Sequence, residues 1–73
     1  METAHILVNY DDENDTLDEI KSISEVKEIK RTFGAYNAVI RLEAESVSKI
    51  KKIISENIRG RQGILSTITL VTA

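Results

Sequence analysis

The hydrophobic period of the chain switches between that of a strand and that of a helix in an order that leaves few folds open. Apolar and polar residues alternate from Thr3 to Tyr10, which predicts a strand. Leu17, Ile20 and Ile23 then recur every third residue, which predicts a short amphipathic helix. Asp15 stands where the N-cap of this helix is expected, and the helix should end near residues 24–25.

A hairpin is predicted next. Val26–Phe33 and Tyr36–Leu42 each alternate with period two, and Gly34-Ala35 between them suits a tight turn because glycine accepts a positive φ. In the first of these strands one set of alternating residues is mostly charged or polar. Since charge protects a sheet edge from pairing with other chains, this strand is expected near an edge.

The last third of the chain predicts a second helix and a final strand. Ser46 is the expected N-cap, and the helix should continue to Ile58. Its apolar stripe consists of Val47, Ile50, Ile53, Ile54 and Ile58. Gly60 suits a left-handed cap at the helix end, and Ile64–Val71 reads as a strand.

The order β-α-β-β-α-β defines an α+β, ferredoxin-like fold for a single domain over residues 1–73. Right-handed crossovers place both helices on one face of a four-stranded antiparallel sheet and leave the other face uncovered. The last strand presents Ile64, Ser66, Ile68 and Leu70 to one side and Leu65, Thr67, Thr69 and Val71 to the other. Neither set is charged, so a second copy is expected to cover the open face and form a dimeric α/β-barrel type of association.

The composition supports assembly of the chain with a partner subunit and argues against several classes of protein. The chain has 73 residues and no cysteine, so a partner subunit is the remaining means of enlarging a small core. The net charge of −2 argues against direct nucleic-acid binding, because such proteins usually carry a basic excess. No apolar run reaches the roughly 20 residues of a membrane span, and no secretory signal is recognisable, so a cytoplasmic location is expected.

Metal and cofactor sites are not expected. The chain has one His, and the acidic run Asp11–Asp15 invites comparison with a calcium loop. An EF-hand requires Gly at its sixth position and Glu at its twelfth, and counted from Asp11 these are Thr16 and Ser22. The run is therefore interpreted as a solvated loop that precedes the first helix.

Three segments together resemble one family. Val26–Val39 carries V-K-E and then T-F-G-A-Y-N, Arg41–Ser46 reads R-L-E-A-E-S, and Gly63–Val71 reads G-I-L-S-T-I-T-L-V. In register and over the whole chain, they are similar to the effector-binding (RAM) domain of the Lrp/AsnC family of transcriptional regulators. Two departures concern the site and its loops: Asn37 stands where the signature has Asp, and Arg61-Gln62 occupies a loop where Pro is common.

The resemblance implies a stand-alone RAM protein, because the chain begins at the first strand without the helix-turn-helix that family regulators carry. It implies a homodimer formed through the sheet face, often assembled into octameric rings, and association with full-length regulators. It also implies a small effector such as an amino acid, bound between neighbouring dimers. Transferred onto this sequence, the ligand-binding residues would be Gly34, Ala35, Tyr36, Asn37, Thr67 and Thr69.

Simpler interpretations of these residues stay open. Gly34 fits an ordinary hairpin glycine, Tyr36 fits the core, and Thr67 and Thr69 favour strands through β-branching. His5 is interpreted as an interface histidine. Two other functions are also open: a small dimeric α/β-barrel enzyme of the monooxygenase or isomerase type, using His5 with Asn9, and an ACT-like regulatory domain. RNA binding through an RRM-like sheet is weaker, since the chain has three aromatic residues.

Overall fold

The computed structural model describes residues 1–11 and 15–72, without the side chain of residue 72. Its elements follow the predicted order. They are β1 (Glu2–Tyr10), α1 (Thr16–Lys21), β2 (Val26–Arg31), β3 (Ala38–Ala44), α2 (Val47–Ile53), a π-helical segment (Ile54–Ile58) and β4 (Ile64–Thr72). The strands form one sheet in the order β2-β3-β1-β4, and all three neighbouring pairs are antiparallel. The ferredoxin-like α+β prediction is confirmed, and β2 lies at an edge as its charged residues indicate.

The core lies between the two helices and one face of the sheet. Alternate residues of the central strands are buried there: Ala4, Ile6, Val8 and Tyr10 of β1, and Ala38, Ile40, Leu42 and Ala44 of β3. Ile20 of α1 and Ile50, Ile53, Ile54 and Ile58 of the second helical stretch pack against them. Branched side chains thus fill the space on both sides of the interface, and the predicted core face of each helix is confirmed except at Val47, which is exposed.

The opposite, helix-free face is defined by the residues that alternate with the core. They are Thr3, His5, Leu7 and Asn9 of β1, Glu28 and Lys30 of β2, Val39, Arg41 and Glu43 of β3, and Ser66, Ile68 and Leu70 of β4. Ile68 and Leu70 keep 43% and 54% of their surface exposed. The prediction that one sheet face lacks helices and carries apolar side chains is therefore confirmed.

Two β-bulges change the predicted alternation. In β2, Val26 pairs with Leu42 and Ile29 pairs with Ile40, because the register shifts between Val26 and Glu28. Both apolar residues therefore face the helices, although strict alternation assigns them to opposite sides. In β4 a register shift pairs Ile64 with Tyr10, so Ile64 packs toward the core and leaves the set formed by Ser66, Ile68 and Leu70.

The hairpin connection is longer than predicted. β2 ends at Arg31 and β3 begins at Ala38, so Phe33 and Tyr36 belong to the connecting turn and not to strands. Phe33 is fully exposed there.

The predicted start of the second helix is confirmed. Ser46 is the N-cap of α2, and its Oγ accepts a hydrogen bond from the Lys49 N–H at 3.2 Å.

The first helix is shorter than its periodicity suggests. Asp15 occupies the N-cap position, as predicted, but its side chain makes no capping hydrogen bond. Most of the acidic run that precedes it, residues 12–14, lies outside the described part of the chain. Within residues 1–11 and 15–72, no group of three or more metal-ligating side chains occurs, and no helix is long and apolar enough to cross a membrane.

Candidate functional site

The Asn37 side chain attaches the turn between β2 and β3 to the end of β1. Asn37 Oδ1 accepts a hydrogen bond from the Tyr10 N–H, and Asn37 Nδ2 donates to the Tyr10 carbonyl, both at 3.0 Å. The Asn37 N–H also donates to the Val8 carbonyl at 3.0 Å. Asn37, the residue before β3 begins, therefore uses both functions of its amide to bond the backbone of the last residue of β1.

Thr32 closes the turn through two hydrogen bonds to backbone carbonyls. Thr32 Oγ1 donates to the Tyr36 carbonyl at 2.8 Å, and the Thr32 N–H donates to the Asn37 carbonyl at 3.0 Å. Gly34 has φ +127°, which an L side chain rarely adopts, and no atom lies within 4 Å of where its Cβ would stand. The glycine is thus required by backbone conformation and leaves open space beside the turn.

Two polar side chains that are not among the six predicted ligand-binding residues bring the turn to the helix-free face. Asn9 Nδ2 donates to the Ala35 carbonyl at 2.8 Å and to Ser66 Oγ at 3.3 Å. Asn9 and Ser66 are paired residues of β1 and β4. Their position follows from strand register, so a sequence pattern alone could have found them only once the pairing of the two strands was known.

Thr67 and Thr69 lie on the other side of the sheet. Thr67 pairs with Val8 and Thr69 with Ile6, so both threonines share the face that the helices cover. The hydrogen bonds of the turn within the described residues include neither threonine. The six predicted ligand-binding residues therefore form two groups within one chain, the turn residues and the two threonines.

A groove about 590 Å³ in volume separates the end of β4 from the second helical stretch. This basic groove is lined by Lys51, Lys52, Ile54, Ser55, Arg59, Thr69 and Val71. Thr69 Oγ1 is buried and has no hydrogen-bond partner among the described residues. A buried hydroxyl without a partner lowers the stability of the fold by about 1–3 kcal/mol, so the unpaired Thr69 hydroxyl requires an explanation.

The π-helical segment shapes one wall of the basic groove. The Arg59 N–H donates to the Ile54 carbonyl at 2.7 Å, a bond that spans five residues instead of four. π-Helical turns are rare and occur frequently at functional sites. The sequence predicts a helix to Ile58, but its periodicity does not distinguish a π turn from an α turn.

The helix-free face is divided into a charged half and an apolar half. Arg41 lies between two carboxylates: its Nη1 is 2.6 Å from Glu43 Oε2, and its Nε is 3.8 Å from Glu28 Oε1. His5 stands beside this group, paired with Arg41 on one side and with Leu70 on the other. The charged residues of β2 and β3 thus border an apolar patch, which consists of Leu7, Val39, Ile68 and Leu70.

One carboxyl group outside these sites has a shifted pKa. The Ser24 hydroxyl donates to Glu25 Oε1 at 3.0 Å, and this bond lowers the pKa of Glu25. Lys49 Nζ, 3.7 Å from Glu25 Oε2, lowers it further. The contact joins the start of α2 to the segment before β2 and serves the fold.

The four-stranded antiparallel sheet and its two helical stretches define a ferredoxin-like domain. A family model described as the Lrp/AsnC ligand binding domain matches residues 3–72, and the chain belongs to this family. Among curated protein sequences, none matches the chain significantly.

Solved structures agree with this assignment. FFRP-DM1 superimposes with a TM-score of 0.92 and 25% identity, with all of both chains covered. A hypothetical protein from Pyrococcus horikoshii has 27% identity and a TM-score of 0.86, over 100% of this chain and 90% of that one. AsnC of E. coli shares the fold at 24% identity and a TM-score of 0.85, and 97% of this chain covers 50% of that regulator.

Proposed function

We propose that the chain is a non-enzymatic module that binds a small effector and couples this binding to its own assembly. Membership of a ligand-binding domain family supports the first part. An amino acid or a similar zwitterion is the proposed effector. A structural neighbour, a transcriptional regulator from Neisseria meningitidis, was crystallised as a complex with L-Met, and its 10% identity to this chain makes the comparison one of fold.

The single observation that carries the assembly proposal is the exposed apolar patch on the helix-free face. Ile68 and Leu70 are about half exposed, and Leu7 and Val39 continue the patch onto the neighbouring strands. Burial of apolar surface stabilises by about 25 cal/mol per Å². A second copy placed face to face would cover this patch on both chains, which makes a homodimer the proposed unit and an octamer made of four dimers its proposed larger form.

The proposed effector site consists of Gly34, Ala35, Tyr36 and Asn37 in the turn, with Thr67 and Thr69. Because no hydrogen bond among the described residues joins these two groups, we propose that a neighbouring chain completes the site. Backbone N–H groups at the glycine turn suit a carboxylate, and hydroxyl groups suit an α-amino group. An effector held in this way stabilises the assembly that completes its site.

Association with full-length Lrp/AsnC regulators is proposed for the same surfaces, since relatives such as E. coli AsnC contain this domain as half of a longer chain. Regulation would then pass through the partner, because the chain itself carries a net charge of −2 and is not proposed to bind nucleic acid. A cytoplasmic location stays a prediction.

Light scattering of the purified protein, with and without a mixture of amino acids, tests the proposal. We expect a dimer or larger species without ligand and a change of size or melting temperature with the mixture. Leu70→Lys should yield a folded monomer, because it places a charge in the apolar patch. Leu65→Lys is the matched control: Leu65 belongs to the same strand, is 70% exposed and lies outside the patch.

The outcomes separate the two parts of the proposal. A parent protein that is monomeric at micromolar concentration contradicts assembly through this face. A stable assembly that ignores every amino acid contradicts the proposed effector and leaves an assembly module. Tyr36→Ala with Asn37→Ala addresses the site itself, since loss of the ligand response in a protein that still dimerises supports the turn as its location.

A further inference from the structure

We propose that the basic groove binds a small carboxylate with an apolar tail and rejects ligands that carry an ammonium group. The inference goes beyond the amino-acid effector of the proposed function, and the two sites share only Thr69. It is based on three observations: the positive charge of the groove lining, the apolar side chains that also line the groove, and the buried Thr69 hydroxyl, which has no partner among the described residues.

The charge of the lining is of one sign. Lys51, Lys52 and Arg59 all border the groove, and no carboxylate is among the described residues that line it. Within the described part of the chain, none of the three cations forms an ion pair. Lys49 and Arg61, by contrast, are paired with Glu25 and Glu19. The groove therefore collects the cations of this region that have no carboxylate partner, and it attracts an anion.

The rest of the lining is suited to a hydrocarbon tail. Ile54 and Val71 both line the groove, and Val71 is 41% exposed. A bare inorganic anion would leave this apolar surface in water, whereas a carboxylate with a branched tail would cover it. The volume of about 590 Å³ is ample for a molecule of this size.

The hydroxyl of Thr69 supplies a donor. Its Oγ1 is buried without a partner, while Thr69 itself lines the groove. Rotation about χ1 exchanges the positions of the methyl and the hydroxyl, which would present the hydroxyl to a bound carboxylate. The π-helical segment contributes Ile54 and Ser55 and sets the position of Arg59 directly after it. An ammonium group would meet three cations here and no carboxylate among the described residues that line the groove.

Three ligands of similar skeleton and different charge test the proposal. The intact protein is titrated with isocaproate, with leucine, which adds an ammonium group to the same skeleton, and with isoamylamine, which lacks the carboxylate. Acetate serves as the anion without a tail. Binding is followed through the NMR amide shifts of Ser55 and Arg59 for the groove and of Ala35 and Asn37 for the turn. We expect isocaproate alone to saturate the shifts at the groove, and added salt to weaken it.

Charge-neutralising variants provide the second arm. Lys51→Gln and Arg59→Gln should each weaken isocaproate binding about two- to fivefold, the range for partly exposed charge pairs, and together about tenfold. Thr69→Val removes the hydroxyl and keeps the shape, so it should also weaken binding. Lys21→Gln is the matched control, because Lys21 is an exposed lysine on α1 that does not line the groove.

Several outcomes would overturn the proposal. Leucine or acetate that shifts the groove amides as much as isocaproate does would overturn it, and so would an unchanged isocaproate affinity in the double variant. Groove shifts that depend on protein concentration and not on ligand would also overturn it, because they would assign the groove to a second copy of the chain. If leucine shifts the amides of the turn and isocaproate does not shift those of the groove, the result supports the proposed function and refutes only this inference.

Discussion

Replacing Asn37 with Asp separates the structural role of this position from its proposed role in ligand binding. The Asn37 amide accepts from the Tyr10 N–H and donates to the Tyr10 carbonyl. A carboxylate keeps the first bond, but it cannot donate, and it would face the carbonyl oxygen at about the distance of the lost bond. The lost hydrogen bond and the carbonyl left without a partner together cost about 2 kcal/mol.

This loss should be visible in melting and should depend on pH. For a domain of this size, about 2 kcal/mol lowers Tm by about 8–16 °C at fixed protein concentration. The carbonyl disfavours the ionised form, so the pKa of the new carboxyl in the folded protein should lie above its unfolded value of about 3.9. Below that value the protonated carboxyl can donate to Tyr10, and the deficit relative to the parent is smallest. It grows as the pH rises through the folded pKa.

Chemical denaturation of parent and variant between pH 3.5 and 7, at one protein concentration, measures the effect. Asn57→Asp is the matched control, since it adds the same charge at a side chain that makes no hydrogen bond within the described residues. We also expect Asn37→Asp to bind leucine about tenfold more tightly, because it supplies a carboxylate for the ammonium group. A variant as stable as the parent at pH 7 would refute the assigned role of the Asn37 amide.

Three other substitutions test a glycine turn, a helix cap and an exposed aromatic side chain. Gly63→Ala should lower the free energy of unfolding in a urea titration by about 2–3 kcal/mol, because φ is +95° and the new Cβ would clash with Thr16 Oγ1. Gly60→Ala is the control, since Gly60 also has a positive φ but has open space beside it, and it should lower that free energy by about 1 kcal/mol. Equal losses for the two variants would contradict the predicted clash. Ser46→Ala should cost about 1 kcal/mol by removing the N-cap of α2, while Ser48→Ala in the same helix changes little. Phe33→Ser should leave thermal stability unchanged and reduce assembly beyond the dimer in light scattering; an unaltered size distribution would show that this fully exposed side chain takes no part.

The sequence predicted the elements whose signals are local. Ser46 caps α2 because its hydroxyl reaches the Lys49 N–H within one turn, and the apolar stripe of that helix follows from its period. The order of these elements then determined the sheet, since a β-α-β crossover has one hand. The family resemblance also came from local segments and was confirmed by the match over residues 3–72.

Features that depend on pairing between distant segments could not be predicted in this way. Val26 and Ile29 share a face only because β3 imposes a bulge on β2. Tyr36 was expected in a strand, but the two bonds between Asn37 and Tyr10 end the ladder and leave Tyr36 in the turn. The basic groove likewise joins Lys51 and Thr69, which no periodicity connects.

The placement of the proposed effector residues on both sides of the sheet has a thermodynamic consequence. If a neighbouring chain supplies the second group, the effector binds the assembled form and has little affinity for the free dimer. Assembly is then favoured by RT ln(1 + [L]/Kd) per site, about 2.7 kcal/mol when the effector is present at 100 times its Kd. By reciprocity, raising the protein concentration must raise the apparent affinity for the effector. A site contained within one chain would show an affinity independent of protein concentration, so this one dependence distinguishes a sensor that acts through assembly from a domain that only binds.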